Sequence, residues 1–390
     1  MHNHTAKRTP IKIYRRTCQN QVDKLIVITY NIIVLLAVTV ASVGLRIVTE
    51  RLCFRTLNTF YLTERLGNTH MYYIGVDLGG TNIAVGIVDE NCRIVKKASV
   101  PTKPERGADA IVSDMAETAK NLLMELSIPL SEVKSAGVAT PGTADTDRGV
   151  VVYANNIPFR NYPLADELSK RLGGIPAYIE NDANAAAKAE AFAGVAKGAK
   201  YSVMITLGTG LGGGIVIDGK VYSGFNYAGA ELGHVVIEKD GRQCSCGRRG
   251  CWEAYSSATG LVNITRDRVA EAMKAGRKSS IIDKIDGDLA KISARTAFAE
   301  MKAGDELGAE IVDEYISYLA CGIVNIINIF QPNVLSIGGG ICNEGEALTK
   351  PLREKVFADT YSKGDIPNTE IKIASLGNDA GIIGAAVLGR

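Results

Sequence analysis

The sequence Ile74-Gly-Val-Asp-Leu-Gly-Gly-Thr-Asn-Ile-Ala-Val-Gly-Ile-Val88 places a glycine-rich turn between two stretches of alternating apolar residues. Because neighbouring side chains of a strand point to opposite faces, this period predicts two strands joined by the turn at Gly79 to Asn82. Glycines let the backbone approach a bulky anion with its N–H groups directed at it. Asp77 lies where the first strand ends, so its carboxylate can hold a phosphate-bound Mg2+. The stretch is either a plain β-hairpin or one that binds phosphate.

Residues 201–218 repeat this arrangement, with a Gly/Thr turn around Thr209 and Gly210 between two apolar strands. Repetition on the scale of a domain predicts two related lobes that face one another. Two phosphate-binding hairpins across a cleft favour a nucleoside triphosphate as the ligand. A third glycine turn, at residues 338–340, follows another apolar strand and is a candidate for the nucleoside.

The composition limits the class of protein. The chain has 390 residues and a formal net charge of +2, which leaves room for two domains and gives no electrostatic argument for a nucleic-acid partner. Its eight cysteines are scattered except for Cys244, Cys246 and Cys251. That pattern indicates a reducing compartment and a metal site rather than a disulfide framework.

Residues 1–70 differ from the rest of the chain. Residues 25–45 carry no charge and are long enough to span a bilayer. More basic residues precede this run than follow it, which favours an N-terminus inside the cell and would place residues 71–390 outside, away from nucleoside triphosphates. We therefore expect Met71 to be the natural start and 1–70 to be an upstream extension. The alternative is a membrane anchor of opposite orientation; a cleaved signal peptide fits less well.

A candidate catalytic carboxylate lies in residues 178–192, where a strand ends at Glu180 and an alanine-rich helix begins just after Asp182. One interpretation is that Asn181 or Asp182 only caps this helix. The other is that Asp182 lies at the edge of the cleft as a general base for a hydroxyl group. The two are compatible, because a capping side chain is also held in a fixed rotamer.

A candidate metal site consists of one imidazole and three thiolates. His234, Cys244, Cys246 and Cys251 match the donors of a closed, tetrahedral, structural zinc site. The alternative is a set of buried reduced cysteines. A catalytic zinc is less well supported, because four protein ligands leave no open position.

Two glutamates flank these candidate ligands. Glu231 precedes His234 by three positions, and Glu253 follows Cys251 by two. Zinc would bring both carboxylates to the imidazole, where they could hold the hydroxyls of a sugar. Otherwise each glutamate is a solvated surface charge.

Together and in this order, the motifs resemble those of the ROK family of sugar kinases, repressors and related proteins, and most closely its bacterial ATP-dependent glucokinases. The resemblance covers residues 71–390 and not 1–70. Family repressors carry a helix-turn-helix before the kinase-like domain, whereas residues 1–70 hold an apolar run, so a repressor is disfavoured. The motifs are Asp77-Leu-Gly-Gly-Thr-Asn82, Glu180-Asn-Asp-Ala-Asn184, Gly208-Thr-Gly-Leu-Gly212, Glu231-Leu-Gly-His234 and Cys244-x-Cys-Gly-x-x-Gly-Cys-x-Glu253.

The resemblance implies an α/β fold of the actin-like, ribonuclease H-like sugar kinase type, with two α/β lobes around a central cleft. Residues 71–186 with 377–390 would form the N-terminal lobe, and 187–376 the C-terminal lobe with the zinc motif. It also implies a cytoplasmic location, a homo-oligomer (dimer or tetramer) and no nucleic-acid partner. Association with a membrane is expected only if 25–45 is a real anchor.

The activity that the resemblance implies is phosphorylation of glucose by ATP to glucose 6-phosphate, the first step of glycolysis, with Mg2+ and a structural Zn2+. Alternatives are another hexose or N-acetylhexosamine (N-acetylmannosamine, fructose, allose, N-acetylglucosamine), a polyphosphate donor, or a non-catalytic sugar sensor or repressor. Asp182 would be the general base, and His234 would bind zinc through one ring nitrogen and the sugar through the other. The sugar-binding residues would be Gly142, Asn156, Asn181, Asp182, Glu231, His234 and Glu253. The nucleotide-binding residues would be Asp77, Gly79, Gly80, Thr81, Asn82, Thr209, Gly210, Gly338, Gly339 and Gly340.

Overall fold

The structure, a computed structural model, describes residues 70–390. The apolar run at 25–45 therefore lies outside the described residues, as does the rest of the proposed extension up to residue 69. Within the described part, no helix is both long and apolar enough to cross a membrane.

The first sheet has five strands in the order β3-β2-β1-β4-β8. The opening hairpin is confirmed, since β1 pairs antiparallel with β2 and Asp77 lies opposite Ala84. Strands β1, β4 and β8 are parallel, and their register aligns Asp77 with Ala139 and Ala139 with Glu180. Their carboxyl ends thus meet at one edge, where α/β sheets usually bind ligands. The strands are β1 (Tyr72–Leu78), β2 (Asn82–Asp89), β3 (Ile94–Pro101), β4 (Val133–Thr140) and β8 (Ala177–Asn181).

A small three-stranded antiparallel sheet lies between β4 and β8 in the chain. Two of its strands have only three residues each. The chain enters the sheet through Gly142 at a φ of 90°, where a Cβ would lie 2.1 Å from the carbonyl oxygen of Tyr153. Only glycine fits that turn without strain. The strands are β5 (Thr143–Asp145), β6 (Val150–Tyr153) and β7 (Arg160–Tyr162).

The second large sheet has the order β11-β10-β9-β12-β13 and repeats the pattern of the first. Strands β9 and β10 form the second predicted hairpin, while β12 is parallel to β9 and β13. Gly338 at the end of β12 is aligned with Thr206 near the end of β9, so the second and third glycine turns share one edge. The strands are β9 (Tyr201–Leu207), β10 (Leu211–Ile217), β11 (Lys220–Val221), β12 (Val334–Gly338) and β13 (Glu370–Ile373).

The helices cover the sheets. A long helix, Glu306–Phe330, buries its apolar side chains in the core around the second sheet. Two short helices begin at Ser280 and Thr296. The helices are α1 (Ala108–Glu125), α2 (Leu164–Arg171), α3 (Asp182–Phe192), α4 (Glu253–Ser256), α5 (Ala258–Lys274), α6 (Ser280–Ile285), α7 (Thr296–Lys302), α8 (Glu306–Phe330), α9 (Glu346–Asp359) and α10 (Ala380–Ala386).

Two helices rich in small residues, α3 and α10, lie in close backbone contact with the sheets. A Cβ on Gly137 of β4 would lie 1.9 Å from the carbonyl oxygen of Ala385, and a Cβ on Gly384 would lie 2.0 Å from that of Ala185. On the other side of α3, a Cβ on Gly214 of β10 would lie 2.9 Å from the carbonyl oxygen of Ala183. The last helix therefore packs on the first sheet, and α3 packs between α10 and the second sheet.

Candidate active site

A cleft of about 1020 Å3 is lined by residues from the edges of both large sheets. Asp77 and Asp182 line it from the first sheet, and Gly210 lines it from the second. Predicted ligands of the sugar and of the nucleotide thus lie on one continuous surface. The predicted site residues that line this cleft are Asp77, Asp182, Gly210, Glu231, His234, Glu253, Gly338, Gly339 and Gly340.

Asp182 is the first residue of α3, directly after the residue that caps the helix. The cap is Asn181, whose Oδ1 accepts hydrogen bonds from the backbone N–H groups of Ala183 at 3.0 Å and Asn184 at 3.3 Å. The Nδ2 of Asn181 donates to the carbonyl oxygen of Gly142 at 3.1 Å, which ties the small sheet to this helix end. Oδ1 of Asp182 also accepts a hydrogen bond from the N–H of Ala183, at 2.8 Å, and this residue lines the cleft.

Two carboxylates with raised pKa values lie together in the cleft. Burial raises the pKa of Asp77 to about 6, and the negative charge of Asp182 adds to that rise. Asp182 is accessible in the open cleft, yet the surrounding protein raises its pKa too, against an opposing hydrogen bond from the N–H of Ala183. A pair of crowded carboxylates favours a cation between or beside them, and pKa shifts of this kind are common at functional sites.

The first glycine turn is held by the residue after β3. The hydroxyl of Thr102 donates to the carbonyl oxygen of Gly79 at 2.7 Å, and the N–H of Thr102 donates to that of Thr81 at 2.9 Å. A Cβ on Gly80 would lie 3.5 Å from the Cβ of Asn156, so the turn is next to that predicted sugar ligand. Several predicted site residues do not line the large cleft, namely Gly79, Gly80, Thr81, Asn82, Gly142, Asn156 and Asn181.

The second glycine turn is held by Glu253. Its Oε2 accepts a hydrogen bond from the N–H of Leu211 at 2.9 Å, and a Cβ on Gly210 would lie 2.5 Å from the same oxygen. Thr209 accepts a hydrogen bond at its carbonyl oxygen from the hydroxyl of Thr259 at 2.7 Å. Thr209 lines a neighbouring cavity of about 540 Å3, which also includes Gly210 and Glu253. Glu253 therefore fixes the turn and lines both cavities.

The four candidate metal ligands come together. The nitrogen or sulfur atoms that His234, Cys244, Cys246 and Cys251 offer all lie within 4.8 Å of one another. The Sγ atoms of Cys246 and Cys251 are 3.6 Å apart, and the Sγ of Cys244 is 3.7 Å from Nδ1 of His234. Tetrahedral Zn–S bonds of about 2.3 Å separate two sulfurs by roughly 3.8 Å, so the donor atoms fit zinc.

Tight packing sets the position of Glu231 and His234. They flank Leu232 and Gly233, which are buried, and a Cβ on Gly233 would lie 2.1 Å from the carbonyl oxygen of Leu211. This contact holds the segment against the start of β10, beside the second glycine turn. The other carboxylate oxygen of Glu253, Oε1, accepts a hydrogen bond from the hydroxyl of Ser245 in the cysteine loop at 3.2 Å.

Sequence reasoning missed part of the cleft, contributed by Asn343, Asn378 and Gly381. A Cβ on Gly381 would lie 2.4 Å from the carboxyl carbon of Asp77, so the start of α10 covers that carboxylate. The signal for it was the run of small residues in this last helix. Small residues permit close packing, but a run of them does not identify the surface against which the helix packs.

The chain is related to proteins of known activity. Residues 73–390 match the model of the ROK family. The chain belongs to the ROK family. It is similar to the glucokinase of Thermotoga maritima, with 40% identity over 80% of this chain and 95% of that one. It is also similar to the glucokinase of Halalkalibacterium halodurans, with 35% identity over 81% of this chain and 94% of that one.

Solved structures of ROK proteins have the same fold. The crystal structure of a ROK family glucokinase from Streptomyces griseus, in complex with glucose and AMPPNP, is 34% identical to this chain with a TM-score of 0.64. The match covers 81% of this chain and 98% of that one. The resemblance inferred from the motifs and the actin-like sugar kinase fold expected from it are both confirmed.

Proposed function

We propose that this protein is an ATP-dependent glucokinase that converts glucose to glucose 6-phosphate. The observation that carries the proposal is the position of Asp182, which lies at the start of α3 in the same cleft as Asp77 and the Gly210 turn. The ROK relatives at 34–40% identity are glucokinases, and one of them binds glucose and an ATP analogue.

The sugar would bind at the end of the cleft nearest the cysteine cluster. Carboxylates there are good acceptors for the hydroxyls of a hexose. Hydrogen bonds between Asn181 and Gly142 and between Glu253 and Leu211 hold three of the candidate ligands in place before a sugar arrives. We propose Gly142, Asn156, Asn181, Asp182, Glu231, His234 and Glu253 as the sugar-binding residues.

ATP would lie across the glycine turns. Backbone N–H groups of the first two turns would hold its phosphates, and residues 338–340 its adenosine. Mg2+ bound near Asp77 would neutralise the charge of the phosphates, and the excess of negative charge at Asp77 and Asp182 suits a cation. We propose Asp77, Gly79, Gly80, Thr81, Asn82, Thr209, Gly210, Gly338, Gly339 and Gly340 as the nucleotide-binding residues.

The reaction requires one proton transfer at Asp182. The glucose 6-hydroxyl gives its proton to the Asp182 carboxylate while its oxygen forms a bond to the γ-phosphorus. The bond from that phosphorus to the β–γ bridging oxygen breaks, and ADP leaves. Burial raises the pKa of Asp182, which makes its carboxylate a better base than that of an ordinary aspartate. Most of the remaining rate enhancement comes from the positioning of the reactants and from neutralisation of charge.

The cysteine cluster would hold a structural Zn2+. Its four donors fit a closed tetrahedral site, which orders the loop between His234 and Glu253. Nδ1 of His234 lies on the side of Cys244, so Nε2 is left for a sugar hydroxyl. Such an arrangement would link metal content to sugar affinity.

The proposed lobes are residues 71–186 with 377–390, and 187–376. Packing of α10 on β4 supports the assignment of the C-terminus to the first lobe.

We further propose that Met71 is the natural start and that the enzyme works in the cytoplasm, where ATP is available, at the entry to glycolysis. Equal kcat values for residues 71–390 and for the full chain would support this start site, and a large loss on truncation would contradict it.

The experiment that tests the function is an assay of ADP release by the full chain with Mg-ATP and a panel of sugars. The panel holds glucose, fructose, mannose, allose, N-acetylmannosamine and N-acetylglucosamine. We expect glucose to give the highest kcat/KM. Turnover of another sugar in preference to glucose would correct the substrate and leave the mechanism, whereas no turnover with any sugar by folded, zinc-loaded protein would contradict the proposal.

A further inference from the structure

A buried carboxylate lies directly behind the proposed base. Glu180 is the penultimate residue of β8, and its side chain is only 6% exposed and outside the lining of the large cleft. Its Oε1 accepts hydrogen bonds from the N–H of Asn181 at 2.9 Å and from Nδ2 of Asn184 at 3.1 Å. One oxygen atom thus joins the end of the strand to the first turn of α3, on both sides of Asp182.

The second member of this group, Asn184, reaches further. The Nδ2 of Asn184 also lies 3.4 Å from the hydroxyl of Ser223, which follows β11 in the segment that leads to Glu231. The N–H of Asn184 donates to Oδ1 of Asn181. Asn184 therefore contacts both the strand–helix junction that carries the proposed base and the segment that carries a proposed sugar ligand.

Stability alone does not explain an amide at this position. Asn184 is 4% exposed, and its Oδ1 has no hydrogen-bond partner within residues 70–390. An unpaired buried carbonyl oxygen disfavours the folded state, and an apolar side chain would avoid that cost. The polar side chain is better explained by what its Nδ2 contacts than by the packing of the core.

We propose that Glu180 and Asn184 are positioning residues, which hold Asp182 in line with a sugar bound at Glu231. The proposal rests on the proposed function, since it assigns their role in that same reaction. Neither residue would touch the substrate; both would act through the backbone of Asn181 to Asn184 and through Ser223. Small displacements of a reacting group lower the rate steeply, by about a hundredfold for a shift of 1 Å.

The acceptor oxygen of Glu180 is expected to matter more than its charge. Burial raises the pKa of Glu180, and the hydrogen bonds from Asn181 and Asn184 and the charge of Lys188 oppose that rise. Glutamine keeps an oxygen in the same place, so Glu180→Gln should retain kcat within about twofold, whereas Glu180→Leu should lower it by roughly tenfold to a hundredfold. Lys188→Met is the matched control, because it changes the charge near Glu180 but no hydrogen bond to Asn181 or Asn184.

Asn184→Asp supplies a signature that a purely structural role would not give. Its new carboxylate would repel Glu180 at high pH, whereas its protonated form would donate a hydrogen bond as Nδ2 does. The kcat of this variant divided by the wild-type kcat should therefore rise as the pH falls from 8 to 6. Such a rise would show that kcat depends on the hydrogen bond donated by residue 184 and not only on the size of its side chain.

The experiment measures kcat, KM for glucose and KM for ATP for the full-length wild type and these variants, with melting temperatures. We expect losses in kcat for Glu180→Leu and for Asn184→Asp at high pH, with KM for ATP unchanged. Lower melting temperatures with unchanged kcat, or a ratio for Asn184→Asp that does not vary with pH, would overturn the proposal. If Glu180→Leu fails to fold, the pH dependence of the kcat ratio for Asn184→Asp still tests the proposal. A wild type without turnover would contradict the proposed function first, and this proposal with it.

Discussion

Asp77 and Asp182 lie so close in the cleft that the charge of Asp182 adds to burial in raising the pKa of Asp77 to about 6. Asp77 is the penultimate residue of β1, and Asp182 is the first residue of α3. They meet because β1, β4 and β8 are parallel and in register, which brings the carboxyl ends of these strands to one edge. The pair supplies both acidic groups that the proposed reaction needs, one for the metal and one for the proton.

Asp182→Asn should keep glucose binding and lose most turnover. Asparagine has the shape of aspartate but cannot accept the proton, so kcat should fall by about 10²–10⁴-fold. Calorimetry should give a Kd for glucose within about threefold of the wild-type value. Asp166→Asn, an exposed residue of α2, is the control and should change neither quantity. Turnover near the wild-type rate would remove Asp182 from the role of base.

Asp77→Asn should stabilise the protein without ligands at pH 7. The pKa of Asp77 is about 6 in the folded protein and about 3.8 as a model value, so the folded state prefers the protonated form. Its contribution to stability is present below pH 3.8 and is lost as the pH rises through 6. The variant should therefore melt at a higher temperature than the wild type at pH 7, and the difference should shrink by pH 5. Equal differences at the two pH values would show that Asp77 titrates normally.

The sequence predicted the elements around the cleft better than it predicted their contacts. Alternating apolar residues identified both hairpins, and the cluster of His234 with three cysteines was found from residue types alone. The packing of Gly381 against Asp77 was not found, because a glycine in a helix does not indicate which distant strand it will touch. The three-residue strands β5 and β7 were too short to give a periodic pattern.

Glu180 illustrates the same limit at the level of single atoms. The motif Glu180-Asn-Asp-Ala-Asn184 suggested a cap and a base, and Asn181 is indeed the cap. That Glu180 and Asn184 turn away from the cleft and bond to one another depends on the twist between β8 and α3. Such an orientation follows from three-dimensional packing and not from the spacing of the residues.

Cys246→Ser should remove the metal and weaken the binding of glucose. Serine is a poor ligand for zinc, and Cys246 is exposed, so the substitution creates no cavity in the core. We expect about one zinc per chain in the wild type and much less in the variant by elemental analysis, with a raised Kd for glucose because His234 loses its support. Cys321→Ser, an exposed thiol of α8 outside the cluster, is the control. Unchanged zinc content in Cys246→Ser would refute its assignment as a ligand.

Gly137→Ala should destabilise the protein through the contact between β4 and α10. The added Cβ would lie 1.9 Å from the carbonyl oxygen of Ala385, which is backbone and cannot turn away, so the whole helix must move. Overpacking of this kind costs about 1–3 kcal/mol, or roughly 1–4 °C in melting temperature for a chain of this size. Because Gly381 of the same helix covers Asp77, the variant should also have a raised KM for ATP. Gly340→Ala is the control for stability, since its Cβ would meet no atom within 4 Å. A melting temperature of Gly137→Ala equal to that of the wild type would mean that α10 does not pack on β4 as closely as the structure has it.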